Sequence, residues 1–247
     1  DSVAVQAMEK IQGPVFVYSG NGSQWAGMGQ ALLQDPVFAR SIAEVDHYFA
    51  PLAGYSLHAE LAGNLGDDRY IATEQAQPAL FALQVGITAM LRAEGIVAAA
   101  VAGHSVGEVA AAWACGALTL AEAVLIIYER SRLQGQSRGQ GQMTAVALSA
   151  DALIPHLHDW GLDQSISIAA WNSHRGSTVV GSSAELSELE KKLRAQGVGH
   201  KRLDIDYPFH SPCMDLLQAE LMEVLQGLKP QATQIPFISA VSGTVLG

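Results

Sequence analysis

The sequence of 247 residues is poor in basic residues, in cysteine and in long apolar runs. Its 14 Lys and Arg are outnumbered by 24 Asp and Glu, and the net charge of −10 argues against a surface that binds nucleic acid. Only Cys115 and Cys213 occur, which favours a reduced, cytoplasmic protein over a disulfide framework. The apolar stretch 96–118 is interrupted by a histidine, a serine and a glutamate, so no membrane span is expected.

The remaining composition is that of a folded globular protein. Hydrophobic residues make up 49% of the chain, which is enough for one large domain or for a domain with an insert. Residues 1–12 are polar and of mixed charge, without the basic start and apolar core of a signal peptide. We therefore predict that they form a linker from a longer chain.

Two apolar runs in the first half of the chain each end in a glycine-rich turn. Val15–Tyr18 is followed by Ser19-Gly20-Asn21-Gly22, and the run 96–102 is followed by Gly103-His104-Ser105-Val106-Gly107 and an alanine-rich helical stretch. This strand, turn and helix order is typical of α/β folds. We predict an α/β-hydrolase-like large domain with a parallel sheet, formed by residues 13–142 and 208–247.

The segment between those two parts has a different pattern. Predicted strands and helices follow one another in the order βαββαβ across residues 143–207, which is the ferredoxin-like arrangement. We predict an inserted ferredoxin-like small subdomain, of a kind suited to form one wall of a cleft.

Gly103-His104-Ser105-Val106-Gly107 fits the Gly-x-Ser-x-Gly nucleophile elbow, in which a serine lies on a sharp turn between a strand and a helix. Ser105 is the predicted nucleophile, and the backbone N–H of Val106 at the helix start is a natural oxyanion donor. The loop Gly20–Gln24 is the expected source of a second donor. The alternatives are a chance match in a glycine-rich loop and a plain turn before a helix.

A serine nucleophile needs a base, which is most often a histidine. Of eight histidines, His210 is distinguished by its place in Tyr207-Pro208-Phe209-His210-Ser211-Pro212, where the chain leaves the insert for the large domain. His104 is adjacent to the serine, where the turn normally directs its side chain elsewhere, and His156 and His158 lie beside no Cys or Asp/Glu cluster. The remaining four histidines are by default solvated or packed residues. The residues alone leave the choice of base open.

Four separated motifs together resemble a known family. Gly20–Gln24, Gly103–Glu108, Arg130–Leu133 and Phe209–Ser211 occur in the order and approximate spacing of the malonyl-CoA:acyl-carrier-protein transacylases and the acyltransferase domains of polyketide and fatty acid synthases. The resemblance covers about residues 14–247. In members of this family the large domain continues beyond the position that corresponds to Gly247. Part of the large domain is therefore expected to lie outside this sequence.

The resemblance implies a Ser–His dyad in which Ser105 attacks a thioester and His210 takes its proton. It further implies an oxyanion hole from the N–H groups of Val106 and Asn21, and an arginine, Arg130, that pairs with the carboxylate of a malonyl group. Asn21 stands where the family usually has glutamine. No bound cofactor or metal is expected; malonyl-CoA is the implied acyl donor, and the acceptor is the phosphopantetheine of an acyl carrier protein in polyketide biosynthesis.

The acyl group is predicted from the residues that end at the histidine. Tyr207-Pro208-Phe209-His210 is a hybrid of His-Ala-Phe-His, found in malonyl-type relatives, and Tyr-Ala-Ser-His, found in methylmalonyl-type relatives. Because the Phe209 ring fills space that an α-methyl group needs, we expect malonyl, with methylmalonyl as the alternative. Tyr207, Phe209 and Gln24 are further candidate substrate-binding residues.

The expected partners are acyl-CoA, an acyl carrier protein and neighbouring synthase domains, with neither nucleic acid nor membrane. A second hypothesis assigns carrier binding to basic residues of the insert, against the alternative of a solvated helix face: Lys191, Lys192, Arg194, Lys201 and Arg202. Two rival functions remain at this point. One is a serine thioesterase or hydrolase with Asp204 or Asp206 orienting the histidine, and the other is a non-catalytic scaffold domain.

Overall fold

The structure is a computed structural model that describes residues 13–63, 66 and 68–246, so the predicted linker 1–12 lies outside the described residues. In chain order its strands are β1 (Val15–Tyr18), β2 (Ala100–Gly103), β3 (Gln142–Val146), β4 (Ser167–Ser173), β5 (Gly176–Gly181), β6 (His200–Arg202), β7 (Phe237–Ile238) and β8 (Val245–Leu246). Its α-helices are α1 (Pro36–Ala53), α2 (Leu57–Ala62), α3 (Thr73–Ala93), α4 (Gly107–Ala114), α5 (Leu120–Gly135), α6 (Ala150–Asp159), α7 (Ser183–Ala195) and α8 (Gln218–Val224). Short 3-10 helices cover Ala31–Gln34 and Pro212–Leu217.

The chain divides into two compact units. The larger contains the described residues up to Ser131 and from Leu225 onward, and the smaller runs from Arg132 to Val224. The smaller unit thus contains the whole predicted insert and extends beyond it on both sides. That the subdomains meet between residues 142 and 143 and between residues 207 and 208 stays a prediction. Within the described residues, no helix is long and apolar enough to cross a membrane.

The larger unit is built on a four-stranded sheet in the order β1-β2-β7-β8. β1, β2 and β7 are parallel, and β8 runs antiparallel to β7. The predicted α/β class is confirmed. Because Tyr18 pairs with Gly103 in register, β1 and β2 end side by side. The loops that follow these two strands therefore leave the same edge of the sheet, where α/β folds place their functional groups.

Helix α1 begins later than the sequence pattern predicts. Apolar residues recur at helical spacing from Met28 to Tyr48, which predicts a helix from about Met28, but the chain first makes the 3-10 turn, and α1 starts at Pro36. Asp35 caps α1 by accepting hydrogen bonds from the N–H groups of Val37 and Phe38, and proline suits the first helical position. The Phe38 ring then packs on α3 at Gly86, where an added Cβ would lie 2.4 Å from the ring.

The smaller unit has the predicted ferredoxin-like topology. Its sheet order is β4-β5-β3-β6 with all neighbours antiparallel, and the helices α6 and α7 complete the βαββαβ order. Both helices share one hydrophobic core with the sheet, formed by Val146, Leu153, Leu157, Leu162, Ile166, Val179, Leu186, Leu189 and Leu193. A capping box between Ser182 and Glu185 fixes the start of α7.

Candidate active site

The predicted nucleophile elbow follows β2 and leads directly into α4. Ser105 has a φ of 53°, in the left-handed region that residues other than glycine seldom adopt. The turn is closed by hydrogen bonds from the N–H of Gly107 to the carbonyl of His104 (2.9 Å) and from the N–H of Glu108 to the carbonyl of Ser105 (3.0 Å). The serine therefore sits on a tight, strained turn, as the motif predicts.

The two motif glycines are required by close backbone approach. A Cβ on Gly103 would lie 2.3 Å from the backbone nitrogen of Glu108, and a Cβ on Gly107 would lie 2.2 Å from the carbonyl oxygen of Tyr18. Neither contact can be relieved by a side-chain movement, because both neighbours are backbone atoms. The elbow thus depends on β1 as well as on its own turn, since Gly107 packs against the end of that strand.

The loop after β1 lies against the elbow. A Cβ on Gly20 would be 2.6 Å from the carbonyl oxygen of His104 and 3.3 Å from the Cβ of Ser105. The loop is also held from α3, where the Gln84 side chain donates a hydrogen bond to the carbonyl oxygen of Ser19 (2.8 Å). Asn21 follows Gly20 directly, so its backbone belongs to the immediate surroundings of the serine.

Both predicted oxyanion donors border Ser105. Val106 is 2% exposed and occupies the N-cap of α4, and its N–H is not used by the hydrogen bonds that close the elbow. Asn21 is brought near by the contact of Gly20 with the elbow. The Gln24 side chain, a predicted substrate group, accepts a hydrogen bond from the N–H of Gly22 (2.8 Å) and so braces the loop itself.

Arg130 extends from α5 to the nucleophile. Its Nη2 donates a hydrogen bond to the Ser105 Oγ at 3.4 Å, and its Nη1 donates to the Gln77 side-chain oxygen. Burial lowers the pKa of the Arg130 guanidinium to about 10, and the nearby Glu108 carboxylate acts in the opposite direction. A cation held in a desolvated position beside the serine is suited to an anionic ligand.

Gln77 and Thr73 lie at the candidate site, although the sequence patterns did not indicate them. Gln77 is fully buried on α3, and its amide nitrogen donates a hydrogen bond to the Thr73 hydroxyl one turn earlier. Its oxygen is thereby directed at Arg130. The available signal was a glutamine on the apolar face of a predicted helix, because a buried amide needs partners for both its ends.

Glu108 connects the elbow to the turn after β7, the strand that lies next to β2 in the sheet. Its Oε1 accepts a hydrogen bond from the backbone N–H of Ala240 at 2.7 Å, in the turn that follows β7. Its position in the first turn of α4 also suits the helix dipole. These contacts give Glu108 a structural role in holding the elbow.

The other predicted site residues belong to the smaller unit. His210 is exposed and has a φ of 58°. The rings of Tyr207 and Phe209 stack with centroids 5.0 Å apart and an interplanar angle of 8°, and both are buried in a cluster with Met143 and Val180. The chain thus turns sharply between a buried Phe209 and an exposed His210.

The basic residues proposed for carrier binding are largely paired with acids of the same unit. Arg202 contacts Glu190 at 2.7 Å, and Lys191 and Lys192 lie 3.7 and 3.6 Å from Glu188. These pairs favour the alternative interpretation of a solvated, charge-balanced helix face.

Comparisons with known proteins identify the family. The chain belongs to the acyl transferase domain family, whose pattern matches residues 15–245. A phenolphthiocerol/phthiocerol polyketide synthase of Mycobacterium tuberculosis is 40% identical over 228 residues, which cover 92% of this chain and 10% of that protein. The chain therefore spans about a tenth of the length of this relative.

Solved structures agree with this assignment. The acyltransferase domain from module 8 of the salinomycin polyketide synthase matches with a TM-score of 0.87 at 36% identity, over 94% of this chain and 55% of that one. The malonyl CoA-acyl carrier protein transacylase of Burkholderia pseudomallei matches with a TM-score of 0.81 at 29% identity, over 94% of this chain and 78% of that one.

Proposed function

We propose that this acyltransferase transfers a malonyl group from coenzyme A to the pantetheine thiol of an acyl carrier protein during polyketide synthesis. The observation that carries the proposal is the partly buried guanidinium of Arg130, with Nη2 3.4 Å from the Ser105 hydroxyl. A planar guanidinium binds a carboxylate through two parallel hydrogen bonds, and malonyl differs from acetyl by that carboxylate. An enzyme for neutral acyl groups has no need of a desolvated cation at this point.

The proposed reaction has two acyl transfers through one intermediate. The Ser105 oxygen attacks the thioester carbonyl while His210 accepts its proton, and the N–H groups of Val106 and Asn21 stabilise the tetrahedral oxyanion. Collapse breaks the carbon–sulfur bond, the proton passes to the coenzyme A thiolate, and a malonyl ester of Ser105 remains. The carrier thiol then attacks this ester while His210 accepts its proton. A new thioester forms, the bond between the acyl carbon and Ser105 Oγ breaks, and His210 returns the proton to Ser105.

The buried aromatic pair supports malonyl over methylmalonyl. Phe209 is 6% exposed and is held by its stacking on Tyr207, so the ring has little freedom to move aside for a methyl branch next to His210. One methyl group in such a pocket is typically worth about 1–3 kcal/mol. We expect malonyl to be preferred by about 10-fold or more in competition, within the range that this energy allows.

The proposal also names where the reaction occurs and with whom. Its partners are acyl-CoA, a carrier protein and the neighbouring domains of a synthase, as the polyketide synthase relatives suggest. The cytoplasm is the proposed location because both the acyl-CoA donor and the carrier thiol belong to a reducing compartment.

The test is intact-protein mass spectrometry of the wild type and Ser105→Ala after brief incubation with malonyl-CoA. We expect a malonyl adduct on the wild type alone, and its transfer to a carrier protein that bears the pantetheine thiol. Equal amounts of malonyl-CoA and methylmalonyl-CoA in one reaction then measure the preference. An adduct on Ser105→Ala would rule out this nucleophile, equal labelling by the two donors would rule out malonyl selectivity, and release only as free malonate would indicate a hydrolase.

A further inference from the structure

The Asn21 side chain has an unexplained buried atom at the active site. Its Oδ1 is buried and accepts no hydrogen bond from the residues that the structure describes. A buried carbonyl oxygen without a donor is costly, and native structures usually keep such an atom for a reason. The backbone N–H of the same residue is a proposed oxyanion donor, and the preceding Gly20 packs on the turn that carries Ser105.

Contacts on both sides of Asn21 hold its loop in place. The position of the unpaired Asn21 oxygen is therefore determined by the fold. Gly20 is packed on the elbow, and the carbonyl of Ser19 is held by Gln84 at 2.8 Å. On the other side, the N–H of Gly22 is held by the Gln24 side chain at 2.8 Å. Gly22 and Ser23 are exposed, so this end of the loop is open to an approaching ligand.

The chemistry of an acyl thioester limits which part of it can satisfy this oxygen. Oδ1 of a carboxamide only accepts hydrogen bonds. A malonyl group at neutral pH offers carbonyl and carboxylate oxygens, which are also acceptors. The donor nearest to the thioester is the first amide N–H of the pantetheine arm, two methylene groups from the sulfur.

We propose that the Asn21 side-chain oxygen binds the first amide N–H of the pantetheine arm and so positions the thioester for attack by Ser105. This inference rests on the proposed function, because it takes the thioester carbonyl to be bound by the Asn21 N–H. Coenzyme A and the carrier protein carry the same arm, so one contact serves both transfers. Asn21 acts as a substrate-positioning residue in addition to supplying its backbone.

The experiment measures acylation of two Asn21 variants and the wild type with each of two small acyl donors. Asn21→Leu keeps the branched shape of the side chain but cannot accept a hydrogen bond, Asn21→Ala removes the group, and both keep the backbone N–H. One donor is the malonyl thioester of N-acetylcysteamine, which contains the amide, and the other has a methylene group in place of the amide nitrogen. Acylation of Ser105 is followed by intact mass spectrometry to give kcat/KM for each pair.

We expect the wild type to use the amide donor about 3- to 10-fold better than its methylene analogue, which is the range of one neutral hydrogen bond. Both variants should lose this preference, because their kcat/KM should fall further with the amide donor than with its methylene analogue. Asn172→Leu, the same substitution at an exposed asparagine of β4, should keep it. The melting temperature of Asn21→Leu should not fall, because the substitution removes an unsatisfied polar atom from the free protein.

The outcomes separate this inference from the function on which it rests. No acylation of the wild type by any malonyl thioester would refute the proposed function. Acylation of the wild type with the same donor preference in all three asparagine variants would refute the role of Asn21 and leave the function intact. Equal loss with both donors would also refute it, since that result indicates a general disturbance of the loop.

Discussion

Replacing Arg130 by alanine tests whether the acyl carboxylate is bound where the structure suggests. The guanidinium reaches the Ser105 Oγ through Nη2 and Gln77 through Nη1. Arg130→Ala removes the cation and should leave the elbow in place, because the elbow is closed by its own backbone hydrogen bonds. The loss should therefore depend on whether the substrate has a carboxylate.

The size of the effect follows from the bonds that Arg130 can make. Two charge-assisted hydrogen bonds to a carboxylate contribute about 1.5–3 kcal/mol each. One arm of the guanidinium is already engaged by Gln77, and its burial opposes the charged state, so the lower half of the combined range applies. We expect kcat/KM with malonyl-CoA to fall about 10²- to 10³-fold. Acetyl-CoA has no carboxylate, and its kcat/KM should change by less than about 3-fold.

The assay is the rate of coenzyme A release with each donor, compared as the ratio of malonyl to acetyl kcat/KM. Arg130→Lys should give an intermediate ratio, because lysine keeps the charge but cannot make the two parallel bonds. Arg132→Ala is the matched control, since Arg132 pairs with Glu220 at 2.8 Å, and it should leave the ratio unchanged. A parallel fall of both donors in Arg130→Ala would show that Arg130 supports the nucleophile and does not select the acyl group.

Three further substitutions test the supports of the site and the fold. Gly107→Ala should abolish acylation and lower the melting temperature by several degrees, because the added Cβ would lie 2.2 Å from the Tyr18 carbonyl oxygen. Gly227→Ala is the control: its added Cβ would have no neighbouring atom within 4 Å, so acylation and melting temperature should not change. Gln77→Leu should reduce the malonyl to acetyl ratio by about 3- to 30-fold without removing acylation, because it frees Arg130 from its orienting acceptor. Burial acts to raise the pKa of Glu190, but hydrogen bonds from Arg202 and Thr144 hold it below its ordinary value. This carboxylate therefore adds stability above its unfolded pKa, and the advantage of the wild type over Glu190→Gln in urea unfolding should shrink as the pH falls from about 5 to 3.

The sequence predicted those parts of the molecule that local signals determine. The elbow, the strands that bound it and the βαββαβ order of the smaller unit each have a short-range pattern of glycines or of apolar periodicity. The predicted start of α1 was wrong because the helical spacing of apolar residues begins at Met28 and continues through Pro36. Pro36 with Asp35 before it forms a helix start, and giving that pair more weight than the periodicity would have placed the boundary correctly.

The hydrogen bonds that hold the residues of the candidate site could not be predicted, because they join distant parts of the chain. Gln77 and Arg130 are 53 residues apart, and Glu108 and Ala240 are 132 residues apart. No periodicity or motif carries such a pairing, which exists only once β1, β2 and β7 are assembled into one sheet. The sequence does contain the components, since a buried amide and a cation on helices of the same unit each require a partner.

Backbone strain marks Ser105 and His210 independently of the sequence motifs. Among the described residues, these two are the non-glycine residues with positive φ, at 53° and 58°. Each such conformation costs about 1–3 kcal/mol, and structures retain it where the surrounding fold determines it. The Gly-x-Ser-x-Gly motif indicates Ser105 and the predicted subdomain junction indicates His210, so the backbone conformation is independent of both indications. A glycine would relieve the strain at either position but has no side chain to act as nucleophile or base, so the cost is explained if both side chains are needed for the chemistry.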